Sequence, residues 1–137
     1  MSQAYHHEVH GLHQFFEDWF CGRVEDSDQA FQRCVAALDP GFVLINPDGD
    51  CTSRDDLLDR LRAAHGQYRD TYFRIRIDQL AARNVADDVC LVTYQEWQET
   101  DGFWTARWST ALLREEPSAP NGLAWMHVHE TWMPDQA

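Results

Sequence analysis

The stretch VCLVTYQEWQETDGFWTARWSTALLR, residues 89–114, decides the fold. Two runs of alternating character, Val89 to Glu99 and Phe103 to Arg114, flank Asp101-Gly102. That dipeptide favours the positive-φ backbone of a two-residue hairpin turn. With such a turn Thr100 faces Phe103, and stepping outward sets Gln98 against Thr105, Glu96 against Arg107 and Tyr94 against Ser109. One face of the hairpin then carries the polar cluster Tyr94, Glu96, Gln98, Thr105, Arg107 and Ser109. The opposite face sets Trp97 beside Ala106 and Gln95 beside Trp108. Neither face is purely polar, and a sheet that is apolar on both sides must be covered on both. Helices can cover one side, and a second copy of the chain is expected on the other, giving a homodimer through the sheet.

Outward from the hairpin the period of two persists. Phe73, Ile75 and Ile77 alternate with Tyr72, Arg74, Arg76 and Asp78 on the N-terminal side, and Leu123 to Trp132 forms a closing strand beyond a loop at Glu115 to Gly122. Upstream of residue 71 the period is helical. Val9, Leu12, Phe16, Trp19 and Phe20 make one apolar face of a helix from Tyr5 to Gly22, with His13 inside that arc and His10 and Glu17 beyond its edge. Glu25 to Asp28 supplies caps for a second helix through Phe31, Cys34, Val35 and Leu38, which Asp39-Pro40-Gly41 ends. A short strand, Phe42 to Ile45, closes on the turn Asn46-Pro47-Asp48-Gly49. Ser53 and Asp56 then form a variant capping box for a third helix through Leu57, Leu58, Leu61 and Ala64, which stops at Gly66. Helices first and an antiparallel meander after them specify an α+β domain.

The chain's 137 residues fit one domain, 44% of them hydrophobic and 12% aromatic, enough for a buried core. Acidic residues outnumber Lys and Arg by 23 to 11, for a formal net charge of -12. Such a surface repels phosphate backbones and anionic bilayers, so neither nucleic acid nor membrane is an expected partner. The first residues lack the basic start and apolar run of a signal peptide, and Cys21, Cys34, Cys51 and Cys90 form no CxxC pair. A cytoplasmic protein with reduced thiols is the expectation.

The run Asp39 to Gly49 after two helices, the capped helix that follows it, and the closing strand Trp125-Met126-His127-Val128-His129-Glu130-Thr131-Trp132 carry a resemblance. The chain resembles the nuclear transport factor two-like superfamily, also called cystatin-like or ketosteroid-isomerase-like, and is most similar to its SnoaL-like and uncharacterised bacterial members. The likeness spans Tyr5 to Pro134. It implies a cone-shaped shell of three N-terminal helices on a strongly curved, mainly antiparallel sheet, a pocket at the open end, and dimerisation through the sheet. It also implies that Arg107, Ser109, His127 and His129 look inward. Because the superfamily holds both enzymes and assembly modules, fold alone does not assign chemistry.

On that comparison Tyr94, Glu96, Arg107, Ser109, His127 and His129 surround one cavity, with His13 reaching it from the first helix. Glu96 and His129 are the candidates for proton transfer, His129 being suited to neutral pH, while Tyr94, Arg107, Ser109, His127 and His13 would bind the ligand. The expected partner is a small hydrophobic or carbonyl-bearing molecule, polyketide-like in character, handled by acid–base chemistry without a cofactor. The alternative is a non-catalytic binding or assembly domain, in which Glu96–Arg107 is a cross-strand ion pair and the histidines merely satisfy their neighbours. His127-x-His129 and His6-x-x-x-His10 have ligand spacings, but neither has an evident third ligand, so no metal is expected.

Overall fold

The computed structural model describes residues 3–134. Helices α1 (Ala4–Phe20), α2 (Asp28–Val35) and α3 (Arg54–Ala63) pack on one six-stranded sheet. Its strands are β1 (Leu38–Ile45), β2 (Cys51–Ser53), β3 (Phe73–Ala86), β4 (Val89–Thr100), β5 (Phe103–Glu115) and β6 (Leu123–Trp132), in the spatial order β2-β1-β6-β5-β4-β3. β1 and β6 run parallel and every other neighbouring pair is antiparallel. This is the α+β architecture expected, with three helices on a curved, unclosed sheet.

Local chemistry sets the elements. Asp101 and Gly102 both take positive φ, 49° and 87°, as the two-residue turn requires, and the β4–β5 register runs unbroken from Thr100↔Phe103 through Glu96↔Arg107 to Val89↔Arg114. The hydroxyls of Ser27 and Ser53 accept hydrogen bonds from the amides of Ala30 and Asp56 and so start α2 and α3. Two elements depart from the sequence reading. Helix α2 stops at Val35, and Leu38 opens a strand that carries Asp39-Pro40-Gly41 within it, with a register shift against β6 between Leu38 and Val43. Proline at such an irregularity forfeits no ladder hydrogen bond. Cys51–Ser53, expected only as the approach to α3, forms a short edge strand against Val43–Ile45.

The sheet bends where its ladders break. β3 shifts register between Asp78 and Ala81, with Gln79 at φ 55°, and β6 shifts between its pairings with Leu112 and Leu113. The concave face so formed holds Val9, Leu12 and Trp19 of α1 and Phe31 and Cys34 of α2 against Val92, Tyr94, Leu113 and Trp125.

At the floor of this core lies a charge absent from the sequence reading. Glu8 of α1 is completely buried. Its Oε1 accepts from Arg33 Nη2 at 2.8 Å and Asn121 Nδ2 at 2.9 Å, and its Oε2 from Arg33 Nη1 at 3.2 Å and Trp125 Nε1 at 2.9 Å. One carboxylate thus joins α1 to α2, to the turn before β6 and to β6 itself. Removing one partner of a buried pair strands the other charge at a cost of about 3–5 kcal/mol. Glu8→Ala is therefore expected to lower the free energy of unfolding by about that amount, read from the urea midpoint at unchanged slope. A loss under about 1 kcal/mol would show that the shell does not depend on this carboxylate.

Candidate functional site

Between α1, α3 and the concave face lies a cavity of about 230 Å³. Leu12, Phe16 and Phe20 of α1, Leu57 and Leu61 of α3, and Leu38, Phe42 and Leu44 of β1 make most of its wall apolar. Its polar side consists of His13, Tyr94, Glu96, Gln98, Arg107 and Glu130. The hairpin face derived from the turn supplies Tyr94, Glu96, Gln98 and Arg107, with Ser109 fully buried behind them, and α1 brings His13 to the same place.

His127 and His129 do not join them. Leu113 pairs with Trp125 but Leu112 pairs with His127, so Met126 is an extra residue on β6. Past it the alternation changes phase, because one added residue sends every later side chain to the other face. Val128 and Glu130 therefore look into the cavity, while His127 and His129 stand on the outer face beside Trp108, Thr110 and Leu112. The two imidazoles lie 6.5 Å apart, centroid to centroid. Glu96 and His129 consequently share no site, and the residue that replaces His129 at the cavity is Glu130. The strand's residues alternate acceptably in either phase, so its sequence carries no sign of the bulge.

The polar wall is a chain of coupled charges. His13 Nδ1 lies 2.7 Å from the Val9 carbonyl and Nε2 lies 3.2 Å from Glu96 Oε1. A carbonyl only accepts, so Nδ1 carries a proton, and a carboxylate at Nε2 calls for a second one. Burial alone would push His13 down, but the adjacent Glu96 carboxylate raises it above its ordinary value. Burial likewise favours a neutral Glu96. His13, Arg107 and the Gln98 amide, which donates to Oε2 at 2.7 Å, together hold it well below the usual carboxylate range.

Glu130 is left with the weaker partners. Its Oε1 lies 3.5 Å from Arg107 Nη1 and its Oε2 accepts from Ser109 Oγ at 3.5 Å. Burial first, and then the negative charge of Glu96, raise it to about 7 against the partial offset of Arg107. Two carboxylates in one pocket thus titrate far apart, Glu96 ionised while Glu130 still holds part of its proton near neutral pH, which is how acid and base roles are separated. Tyr94 is pushed up strongly by burial and remains a neutral phenol. Arg107 packs its guanidinium 4.9 Å over the Trp132 ring, and its Nε is buried with no hydrogen-bond partner among the described residues. Elsewhere, burial pushes the Cys34 thiol up to about 12, which suits packing rather than nucleophilic attack.

A cone of three helices on a bent sheet, enclosing an apolar cavity with one polar wall, defines a nuclear transport factor two-like domain. The chain belongs, more particularly, to the sucrose-6-phosphate phosphohydrolase C-terminal family, whose model matches residues 5–134. It is 30% identical over 128 residues to sucrose-phosphatase 1 of Nicotiana tabacum, an alignment covering 93% of this chain and 30% of that protein. It is 32% identical over 126 residues to the probable sucrose-phosphatase 2 of Arabidopsis thaliana, covering 92% of this chain and 29% of that one. The chain therefore spans less than a third of the curated relatives it matches. Among solved structures it is similar to a nuclear transport factor two-like protein of unknown function from Pseudomonas aeruginosa. The TM-score there is 0.82 at 25% identity, with 95% of this chain and 98% of that one covered.

The state of Glu130 makes stability depend on pH with a definite sign. Its folded value, about 7, lies above its unfolded value near 4.5, so the folded chain holds the extra proton between them. The stabilisation this gives is complete below pH 4.5 and is lost as pH rises through 7. Glu130→Gln cannot titrate, so its stability relative to the parent is expected to improve between pH 4.5 and pH 8 by on the order of 2 kcal/mol. Urea unfolding at the two pH values measures this, and an equal difference at both would place Glu130 in water.

Proposed function

We propose that the chain is a small-molecule-binding domain whose ligand sits in the cavity beneath α1 with an apolar body and one oxygen-bearing head against Arg107 and Glu130. The observation that carries this is the composition of the wall: one continuous apolar lining interrupted by a single polar cluster. Ligand pockets take that form, apolar throughout with a few convergent polar groups that fix orientation. The volume supports a compact ligand, since an apolar cavity of about 150 Å³ already accommodates benzene.

Within this reading the acid–base chemistry belongs to Glu130, which is near half-protonated at neutral pH. It can give a proton to a carbonyl oxygen held by Arg107, and a group that titrates near the working pH is best placed to do so. Glu96 and His13 act as a fixed charge pair that orients the wall. The relatives are named as sucrose-phosphatases, and the stretch matched here is about 30% of their length. We propose that in them, too, this domain serves as a ligand pocket beside the remainder of the enzyme.

The outer face supports the homodimer. Trp104 and Trp108 stand 42% and 37% exposed there, with Arg76 lying 5.3 Å over the Trp97 ring and 5.5 Å over that of Trp104. Aromatic residues and arginine are the side chains most enriched in buried interfaces. Light scattering is expected to give twice the mass of the chain, and Trp108→Glu to give a monomer. A monomeric parent protein would remove this part of the proposal.

Binding is tested with small monocyclic ketones such as cyclohexanone and acetophenone. The expected result is an increase in melting temperature that saturates with ligand and disappears in Leu57→Trp, where the added ring fills the cavity. Saturating stabilisation that survives Leu57→Trp would put the ligand elsewhere, and no stabilisation by any compact oxygen-bearing compound, neutral or acidic, would leave the assembly reading in its place.

A further inference from the structure

Resting on that pocket reading, we infer that the ligand class is an apolar carboxylic acid of about the size of a ring plus a short arm, bound as its anion through Arg107 with Glu130 protonated beside it. Three features of the wall lead there. The first is an unspent donor set. Arg107 lines the cavity, and its one carboxylate contact among the described residues, from Nη1 to Glu130, is a long 3.5 Å. Guanidinium groups bind carboxylates through two parallel N–H donors. A ligand carboxylate at the Nη end of the guanidinium would take up donors that Glu130 holds only loosely.

The second feature is the charge balance. The groups facing Glu130 are Arg107 and Ser109 on β5, Tyr94 and Glu96 on β4, and His13 on α1; the parts of α3 and β1 at the cavity are apolar. Glu96 is matched by His13 at 3.2 Å. With Glu130 neutral and Tyr94 a phenol, Arg107 is the one positive charge left over, so the wall lacks a single negative charge. With Glu130 ionised the wall is already balanced, and an incoming anion would meet a second carboxylate across the same arginine. The pocket therefore favours an anion only when a proton comes with it, and the proton rests on Glu130.

The third feature is the space. A cavity of about 230 Å³ lined by Phe16, Phe20, Leu57 and Leu61 suits an aryl or branched aliphatic body, with the charged end at the polar wall. Binding would thus be linked to proton uptake, and affinity would depend on pH through a group of the protein rather than of the ligand. A carboxylic acid of ordinary acidity is already ionised throughout the neutral range.

Phenylacetate and its neutral isostere phenylacetamide, titrated calorimetrically into the protein at pH 6 and pH 8, test this. Phenylacetate is expected to bind at least about tenfold more tightly than the amide at pH 6, and to lose about tenfold between pH 6 and pH 8 as the proton on Glu130 becomes scarce. The amide's affinity should stay constant. At pH 8, buffers of differing ionisation enthalpy should reveal close to one proton taken up per phenylacetate bound. Glu130→Gln should retain the binding and abolish its pH dependence, and Arg107→Gln should bring phenylacetate down to the level of the amide. Equal affinity for the two compounds would overturn the carboxylate inference while leaving the pocket reading intact. Binding of neither would overturn both.

Discussion

A carboxylate taken wholly out of water must be met by donors on every side, and the architecture depends on how that requirement is fulfilled at Glu8. Four donors from three separate parts of the chain converge on its two oxygens. Hydrophobic burial would hold α1 against the sheet in many rotations and slides, because it has no direction. The fork of Arg33, the Asn121 amide and the Trp125 indole have directions, and they admit one. Glu17, two and a half turns further along α1, repeats the device by accepting from the Ile75 amide at 2.8 Å and from Arg23 at 2.9 Å. With both ends of α1 fixed, His13 between them has little choice but to meet Glu96. The polar wall follows from the position of the helix, and the position of the helix follows from a buried charge.

That wall works by unequal sharing. Glu96 and Glu130 approach the same arginine, but only Glu96 has an imidazole and a side-chain amide as well. The better-supplied carboxylate stays ionised, and its charge then helps keep the other protonated. Neither state belongs to one residue: replacing His13 would change Glu130 without touching it. Such a division needs no metal or strained backbone at the site, only two acids at unequal distances from a limited supply of positive charge.

Much of this was legible in the chain, and the boundary of legibility is physical. The β4–β5 pairing follows by counting from Asp101-Gly102, because a two-residue turn leaves no freedom of register, and with it came Tyr94, Glu96, Arg107 and Ser109 on one face. His13 was legible as a polar residue within an apolar helical arc. The phase of β6 was not, since its tryptophans, histidines and valine alternate plausibly either way and the bulge at Met126 arises from fitting a bent sheet to its neighbours. For the same reason Glu130 was missed and His127 and His129 were misplaced. Glu8 was invisible because its partners, Arg33, Asn121 and Trp125, lie 25 to 117 residues away and no local pattern marks their convergence. The strand at Leu38 was read as helix because Asp39-Pro40-Gly41 usually ends an element and here lies inside one.

The two ends of the sheet differ from its middle in a way that limits how these molecules can meet. One border is the three-residue strand β2, and the other, β3, places Arg74, Arg76 and Asp78 along its length and is kinked at Gln79. A short border and a charged, broken one both resist the addition of a further strand. Growth by edge-to-edge pairing, which has no natural stopping point, is thereby discouraged. A face-to-face pair related by a twofold axis uses up its own surface and stops at two. The same bulge that helps bend the sheet into a pocket thus also helps keep a β-rich, tryptophan-bearing protein from becoming the seed of a fibre.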